Sequence, residues 1–181
     1  MLKRSFAILF FAAPGFLFSQ VFFCKDGFTK FTSEAPLELI KATSSKTSGG
    51  IEIPTKNVAF SVVMATFEGF NSALQKEHFL ENYMEANKYK TSEFKGKIIE
   101  DVDLSKPGTY TIRAKGTLNI HGTIKERIIK VKVTVKDKQI DIESDIDVPL
   151  ADHNIKIPKI VNQKIAAIIM VQVKASLKPK A

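Results

Sequence analysis

The sequence predicts an all-β domain: an antiparallel β-barrel of about eight strands with one inserted α-helix and a short helical turn before the last strand. Three observations carry that prediction. Apolar and polar residues alternate with period two in segment after segment. Tyr110, Ile112, Ala114, Leu118 and Ile120 share one parity, and Thr109, Thr111, Arg113, Lys115, Thr117 and Asn119 take the other. The segments are separated by short turn-forming stretches suited to hairpins. Finally, the chain offers too little helix to cover a sheet that is apolar on one face. Such a sheet must pack on a second sheet or close on itself, and closure also removes its edges. At about eight strands a closed barrel is either filled by side chains or wide enough for one small ligand, and alternation does not choose between these.

Composition sets the frame. The 181 residues are 44% hydrophobic and 25% charged, with only 9 Gly and 7 Pro, which excludes a disordered or collagen-like chain and suits one domain. A single cysteine allows neither an internal disulfide nor a cysteine-based zinc knuckle. At the start, Lys3 and Arg4 precede an apolar run from Phe6 to Phe18 that ends in the small Ser19. That run falls short of the ~20 residues of a spanning helix. Residues 1–19 therefore read as a cleavable signal peptide, which leaves 20–181 as the domain and implies export. Cys24 follows Val21-Phe22-Phe23, which is too bulky beside a lipoprotein cleavage point, so it reads as a free thiol near the mature terminus.

Taken in order, strands are expected over Phe28 to Thr32, Glu38 to Thr43, Gly50 to Pro54 and Val58 to Phe67, with a turn at Thr47-Ser48-Gly49-Gly50. Ser72-Ala73-Leu74-Gln75 is a Ser-x-x-Gln capping box that opens a helix running to about Ala86, with Phe79/Tyr83 and Leu80/Met84 paired at i,i+4. Strands resume over Phe94 to Val102, then along the alternating segment to Ile120, after a turn at Ser105-Lys106-Pro107-Gly108. Ile129, Val131, Val133 and Val135 alternate with Lys130, Lys132, Thr134 and Lys136. Lys136-Asp137-Lys138 then turns the chain into a strand over Gln139 to Val148. A short helical turn follows Pro158, where Ile160, Val161 and Ile165 share a face. The last strand sets Ile169, Val171, Val173, Ala175 and Leu177 against Met170, Gln172, Lys174, Ser176 and Lys178.

Catalytic signatures are missing. The sequence has no GxSxG, HExxH, Walker loop or GxGxxG. His78, His121 and His153 fall in a helix, a strand and a loop, without the i,i+4 spacing of a zinc pair. A metal-dependent hydrolase would need them to converge; His121 reads instead as a structural hydrogen-bonding group at the barrel rim. Glu77, Glu81 and Glu85 repeat at i,i+4 as a solvated helix face. The lysines between Arg127 and Lys138 form a basic stripe. Export removes nucleic acid as its partner and leaves a solvated exterior that blocks edge pairing, or weak attraction to anionic lipid headgroups.

Four blocks, in order, resemble the YceI-like family of exported lipid-binding proteins. They are GFTKFTSEAPLELIKA (27–42), LQKEHFLENYMEANKYKTSEFKGKI (74–98), GTLNIHGT (116–123) and VPLADHNIKIPKIVNQKIAAIIMVQV (148–173). Two positions depart from that pattern: Leu80 stands where this branch often has Asn, and Tyr89-Lys90-Thr91-Ser92 replaces its Tyr-Pro turn. The resemblance implies a lipocalin-like barrel, no enzymatic activity, and a periplasmic protein that holds a long isoprenoid amphiphile such as a quinone or polyprenol tail. No cofactor is implied beyond that lipid or quinone. Burying a methylene is worth ~0.8 kcal/mol, so inward apolar side chains suffice to hold such a tail. The inward candidates are Phe60, Val62 and Met64, then Phe94 and Ile98, then Ile112, Leu118, Val131, Val133, Val171 and Val173. The opposing reading is a ligand-free envelope stress or interaction protein on the same barrel, with its interior filled by side chains. A homodimer closing the barrel mouth is compatible with either.

Overall fold

The computed structural model describes residues 21–180; the expected signal peptide lies outside them. Eight strands run β1 Val21–Glu34, β2 Leu39–Glu52, β3 Asn57–Val63, β4 Thr91–Ile98, β5 Gly108–Ile120, β6 Thr123–Lys136, β7 Gln139–Pro149 and β8 Ile168–Pro179. Each pairs antiparallel with its sequence neighbours, and β1 pairs with β8, so the sheet closes in simple up-and-down order. The all-β barrel with one inserted helix and a helical turn at Lys159–Val161 is therefore the fold. Two of the hairpins turn on two residues in the left-handed region, His121–Gly122 (φ 51° and 69°) and Asp137–Lys138 (φ 49° and 63°). That conformation matches the twist of the flanking strands.

Three local expectations are corrected. Thr47-Ser48-Gly49-Gly50 is not a turn but the middle of β2, where Gly49 pairs with Phe60 and Gly50 with Ala59. The glycines serve close approach instead: a Cβ on Gly49 would collide with the Phe60 ring and one on Gly50 with the Phe22 carbonyl. Second, the strand expected to reach Phe67 stops at Val63, and Met64–Thr66 forms one 3₁₀ turn. Third, the helix is shorter than its pattern. Ser72 does cap it, accepting from the Gln75 amide at 3.1 Å, but regular α1 covers only Ala73–His78 and passes into a π-turn at Phe79–Tyr83. The Gln75 side chain accepts from the Asn71 amide rather than closing the box, and Glu85 at φ 43° ends the segment. The π-turn shifts the i,i+4 register, so that the Met84 amide bonds the Phe79 carbonyl at 2.9 Å.

Strand pairing divides the barrel into two halves along its axis. At one end the ring is continuous, and a cluster including Ile51, Val58, Ile98, Ile112, Val133, Val135, Ile140, Ile142 and Leu177 fills it. Leu104, from the loop before β5, belongs to this cluster. Toward the other end two seams open. β2 meets β3 only over Ser48–Glu52 with Asn57–Ser61, and β6 meets β7 only over Lys132–Lys136 with Gln139–Glu143. Beyond those points β7-β8-β1-β2 and β3-β4-β5-β6 are two four-stranded half-sheets that spread apart.

Each seam is bridged by an insertion. Residues 64–90 span the first, where Thr43 and Glu68 exchange backbone hydrogen bonds of 2.8 and 2.9 Å. Residues 150–167 span the second: His153 Nδ1 donates to the Thr123 carbonyl at 3.2 Å, and Arg127 donates to Asp152 at 2.8 Å. His121, in the β5–β6 turn, lies 3.2 Å from the His153 carbonyl through Nδ1 and 3.2 Å from the Glu85 carboxylate through Nε2. Cys24 is buried in β1, with its sulfur 3.9 Å from the Thr47 carbonyl, and burial pushes its thiol pKa up.

Candidate functional site

The space between the spread half-sheets is a cavity of about 460 Å³. Its walls follow from the alternation. β1 contributes Thr29, Phe31 and Ser33, β3 contributes Val62, β5 Ile120, β7 Val148, and β8 Ile169 and Val171. The two insertions supply Met64, Phe67, Phe70, Phe79, Tyr83, Met84, Leu150, Ile155 and Ile165. Phe31, Phe67, Phe70 and Phe79 form one aromatic cluster, with adjoining ring centroids 5.2 to 5.9 Å apart. Offset and edge-on ring pairs of this kind add ~0.5–1.5 kcal/mol each beyond area burial. They make a wall out of segments far apart in sequence.

Polar groups inside the cavity are already partnered. Thr29 and Thr47 share a 2.6 Å hydroxyl hydrogen bond, Ser33 accepts from the Ala166 amide at 2.9 Å, and Ser92 donates to Met64 Sδ at 3.6 Å. Charged and amide side chains gather at the mouth, where Glu38, Gln75, His78 and Lys164 line the opening. Gln75 donates to Glu38 at 2.8 Å, Asn71 to the Leu39 carbonyl at 3.1 Å, and the Leu37 amide to the Gln163 carbonyl at 2.9 Å. These bonds tie both insertions to the β1–β2 hairpin. Burial in the wall also raises the pKa of the Tyr83 phenol. An apolar interior beneath a polar rim solvates a hydrocarbon body and leaves a head group in water.

The eleven inward candidates fall at different depths. Val62, Met64 and Val171 line the cavity. Phe60, Phe94, Ile98, Ile112, Val131 and Val133 sit in or against the packed cluster at the closed end. Leu118 is buried one inward step below Ile120, and Val173 is half-buried one step below Val171. Sequence reasoning missed Ile120 and Ile169, although both share the parity of residues it named. It also missed the phenylalanine wall, for which a single sequence carries no signal because its members meet only through tertiary packing. Of the histidines, His78 lines the mouth while His121 and His153 are neighbours at the β5–β6 end. Among the described residues no three His, Cys, Asp or Glu side chains are grouped as a metal ion would require.

A closed antiparallel barrel holding an apolar cavity under a helical cover defines a lipocalin-like architecture. The chain belongs to the YceI-like family, whose domain model matches residues 21–177. Solved structures share its fold, among them the following three. A polyisoprenoid binding domain from Saccharophagus degradans, implicated in plant cell wall breakdown, is 14% identical with a TM-score of 0.75, over 89% of this chain and 99% of that one. BcnA of Burkholderia cenocepacia is 13% identical with a TM-score of 0.69, over 83% and 95%. The YceI protein of Campylobacter jejuni is 13% identical with a TM-score of 0.57, over 99% and 94%. No curated protein matches the sequence.

Proposed function

We propose that this chain is an exported, non-enzymatic lipid-binding protein that sequesters or carries an isoprenoid-type amphiphile, with a quinone or polyprenol tail, through the periplasm. The observation that carries the reading is the preformed cavity, whose polar side chains are partnered inside and gather at the mouth. A hydrocarbon needs no directional contact to bind there, and its burial offsets the cost of ordering the chain. Family membership and the polyisoprenoid binding domain of the same fold support the lipid class. The leader-like residues 1–19 support export.

The same reading includes contact with an anionic membrane, at the mouth rather than along the β6 stripe. Lys130, Lys132 and Lys136 run down β6 toward the closed end. Around the mouth, Leu37, Leu74 and Ile160 are exposed, Ile160 at 90%, and Lys156, Lys159 and Lys164 flank the last of these. Aliphatic tips beside lysines suit an interface of anionic headgroups.

Native mass spectrometry of the protein purified from its periplasm, followed by organic extraction, tests the first part. A stoichiometric isoprenoid adduct is the expected result. A bare mass that stays bare after incubation with quinones and with isoprenoid alcohols from farnesol to solanesol would transfer the reading to a ligand-free interaction protein. Flotation with phosphatidylglycerol vesicles tests the second part, with Ile160→Asp expected to lose binding. A stable dimer that protects Ile160 and ignores vesicles would assign the rim to a second copy instead.

A further inference from the structure

We infer that the site selects short-chain isoprenoid amphiphiles, because the phenylalanine pair Phe60–Phe94 and the residues beneath it close the cavity floor. The inference rests on the lipid-binding reading above and adds the length of the ligand to it. Phe60 on β3 and Phe94 on β4 stand directly opposite each other in the strand register, and both pack against the closed-end cluster. Neither lines the cavity, whereas Val62 and Ser92, the pair one inward step above them, both do. The floor therefore lies between those two levels. Phe60 is further fixed by its ring lying over Gly49, where any side chain would collide with it. Below the pair, Val133, Ile140 and Leu177 are fully buried, so the interior there is side chain rather than space.

Depth follows from strand geometry. On β1 the cavity wall runs from Ser33 down to Thr29. Four residue steps of ~3.3 Å, inclined at about 40° to the barrel axis, give ~10 Å below the rim. An isoprene unit spans four chain bonds, or ~5 Å extended at the ~1.2 Å per bond of a stretched chain. Two units thus fill the walled part, and a third lies at the mouth. A cavity of about 460 Å³ agrees, being in the lower part of the range that encloses a compact small molecule. A longer tail would leave apolar units in water or force the closed-end cluster apart.

The test uses the delipidated mature chain and an equimolar mixture of farnesol and solanesol, read by native mass spectrometry. The chain is expected to take farnesol with at least a tenfold preference, and methyl resonances of Ile98, Ile112 and Val133 to stay unmoved by either alcohol. Phe60→Leu with Phe94→Leu, which keeps apolar bulk, should reduce that preference severalfold. Equal or tighter binding of solanesol, with those methyl resonances shifting, would overturn the floor and leave the lipid-binding reading intact. Failure of the folded protein to take either alcohol would overturn both.

Discussion

The Phe79 ring stacks on the Phe31 ring, with centroids 5.2 Å apart and planes 21° apart. One belongs to the π-turn of the first insertion and the other to β1, so this contact fastens the cavity's cover to its wall. Phe79→Ala removes it together with the contacts to Phe67 and Phe70. Since the ring is half-buried, the expected loss is about 2 kcal/mol, below the 3–5 kcal/mol of a fully buried phenylalanine. Hydrogen exchange should accelerate at the amides of residues 73–86 and stay unchanged in β5 and β6. Uniform acceleration across the barrel would show that the insertion is not a separable cover.

Val171→Phe places a ring inside the cavity. Because the ring enters open space rather than packed side chains, its cost should fall below the ~1–3 kcal/mol of overpacking a core. Bound lipid should drop at least tenfold by native mass spectrometry, with the melting temperature close to that of the parent. Undiminished occupancy would place the lipid elsewhere.

Acid should weaken the second insertion. Burial, assisted by the Arg127 cation, holds the His153 imidazole below its ordinary value of 6.5, against opposing pulls from the Thr123 carbonyl and Asp152. Its Nε2 is enclosed without a partner. The unfolded chain binds the proton more readily than the folded one, so the contribution of His153 is complete above 6.5 and is lost as pH falls below it. Thermal melts should be level above pH 7 and decline between about pH 6.5 and 5, with His153→Leu removing most of that slope. A wild-type profile that is flat down to about pH 5 would contradict the assignment.

Gly96 and Gly116 face each other across β4 and β5, and a Cβ on Gly116 would collide with the Lys95 carbonyl and Gly96. Gly116→Val should cost about 3 kcal/mol in denaturant unfolding, the upper end for an insertion that forces side chains and backbone to shift. An effect under about 1 kcal/mol would mean the two strands separate there without penalty.

Much of this molecule is legible in one sequence because a strand's period of two records which face is buried. The parities of β5, β6 and β8 are such cases, and they fix which face turns inward, while closure itself comes from β1 pairing with β8. Depth along the axis is not recorded. Val133 and Val171 carry the same signal, yet one lies in packed side chains and the other in the cavity wall. The turn chemistry at Thr47-Ser48-Gly49-Gly50 misled for a related reason. Glycine marks close approach as well as reversal, and the Phe60 ring that needs Gly49 bare comes from another strand. The capping box at Ser72 located the start of the helix, while the π-turn that follows, whose Phe79 stacks on Phe31 of β1, is announced by no local pattern.

The division of the barrel into a continuous ring and two spread half-sheets separates two kinds of selection on this chain. Substitutions in the ring are judged by whether the protein folds at all. Those in the walls and insertions border the cavity and, on the proposed function, are judged by what it binds. If the proposed lipid binding holds, ligand preference can drift while the ring stays put, and the three similar structures share this fold at 13 to 14% identity.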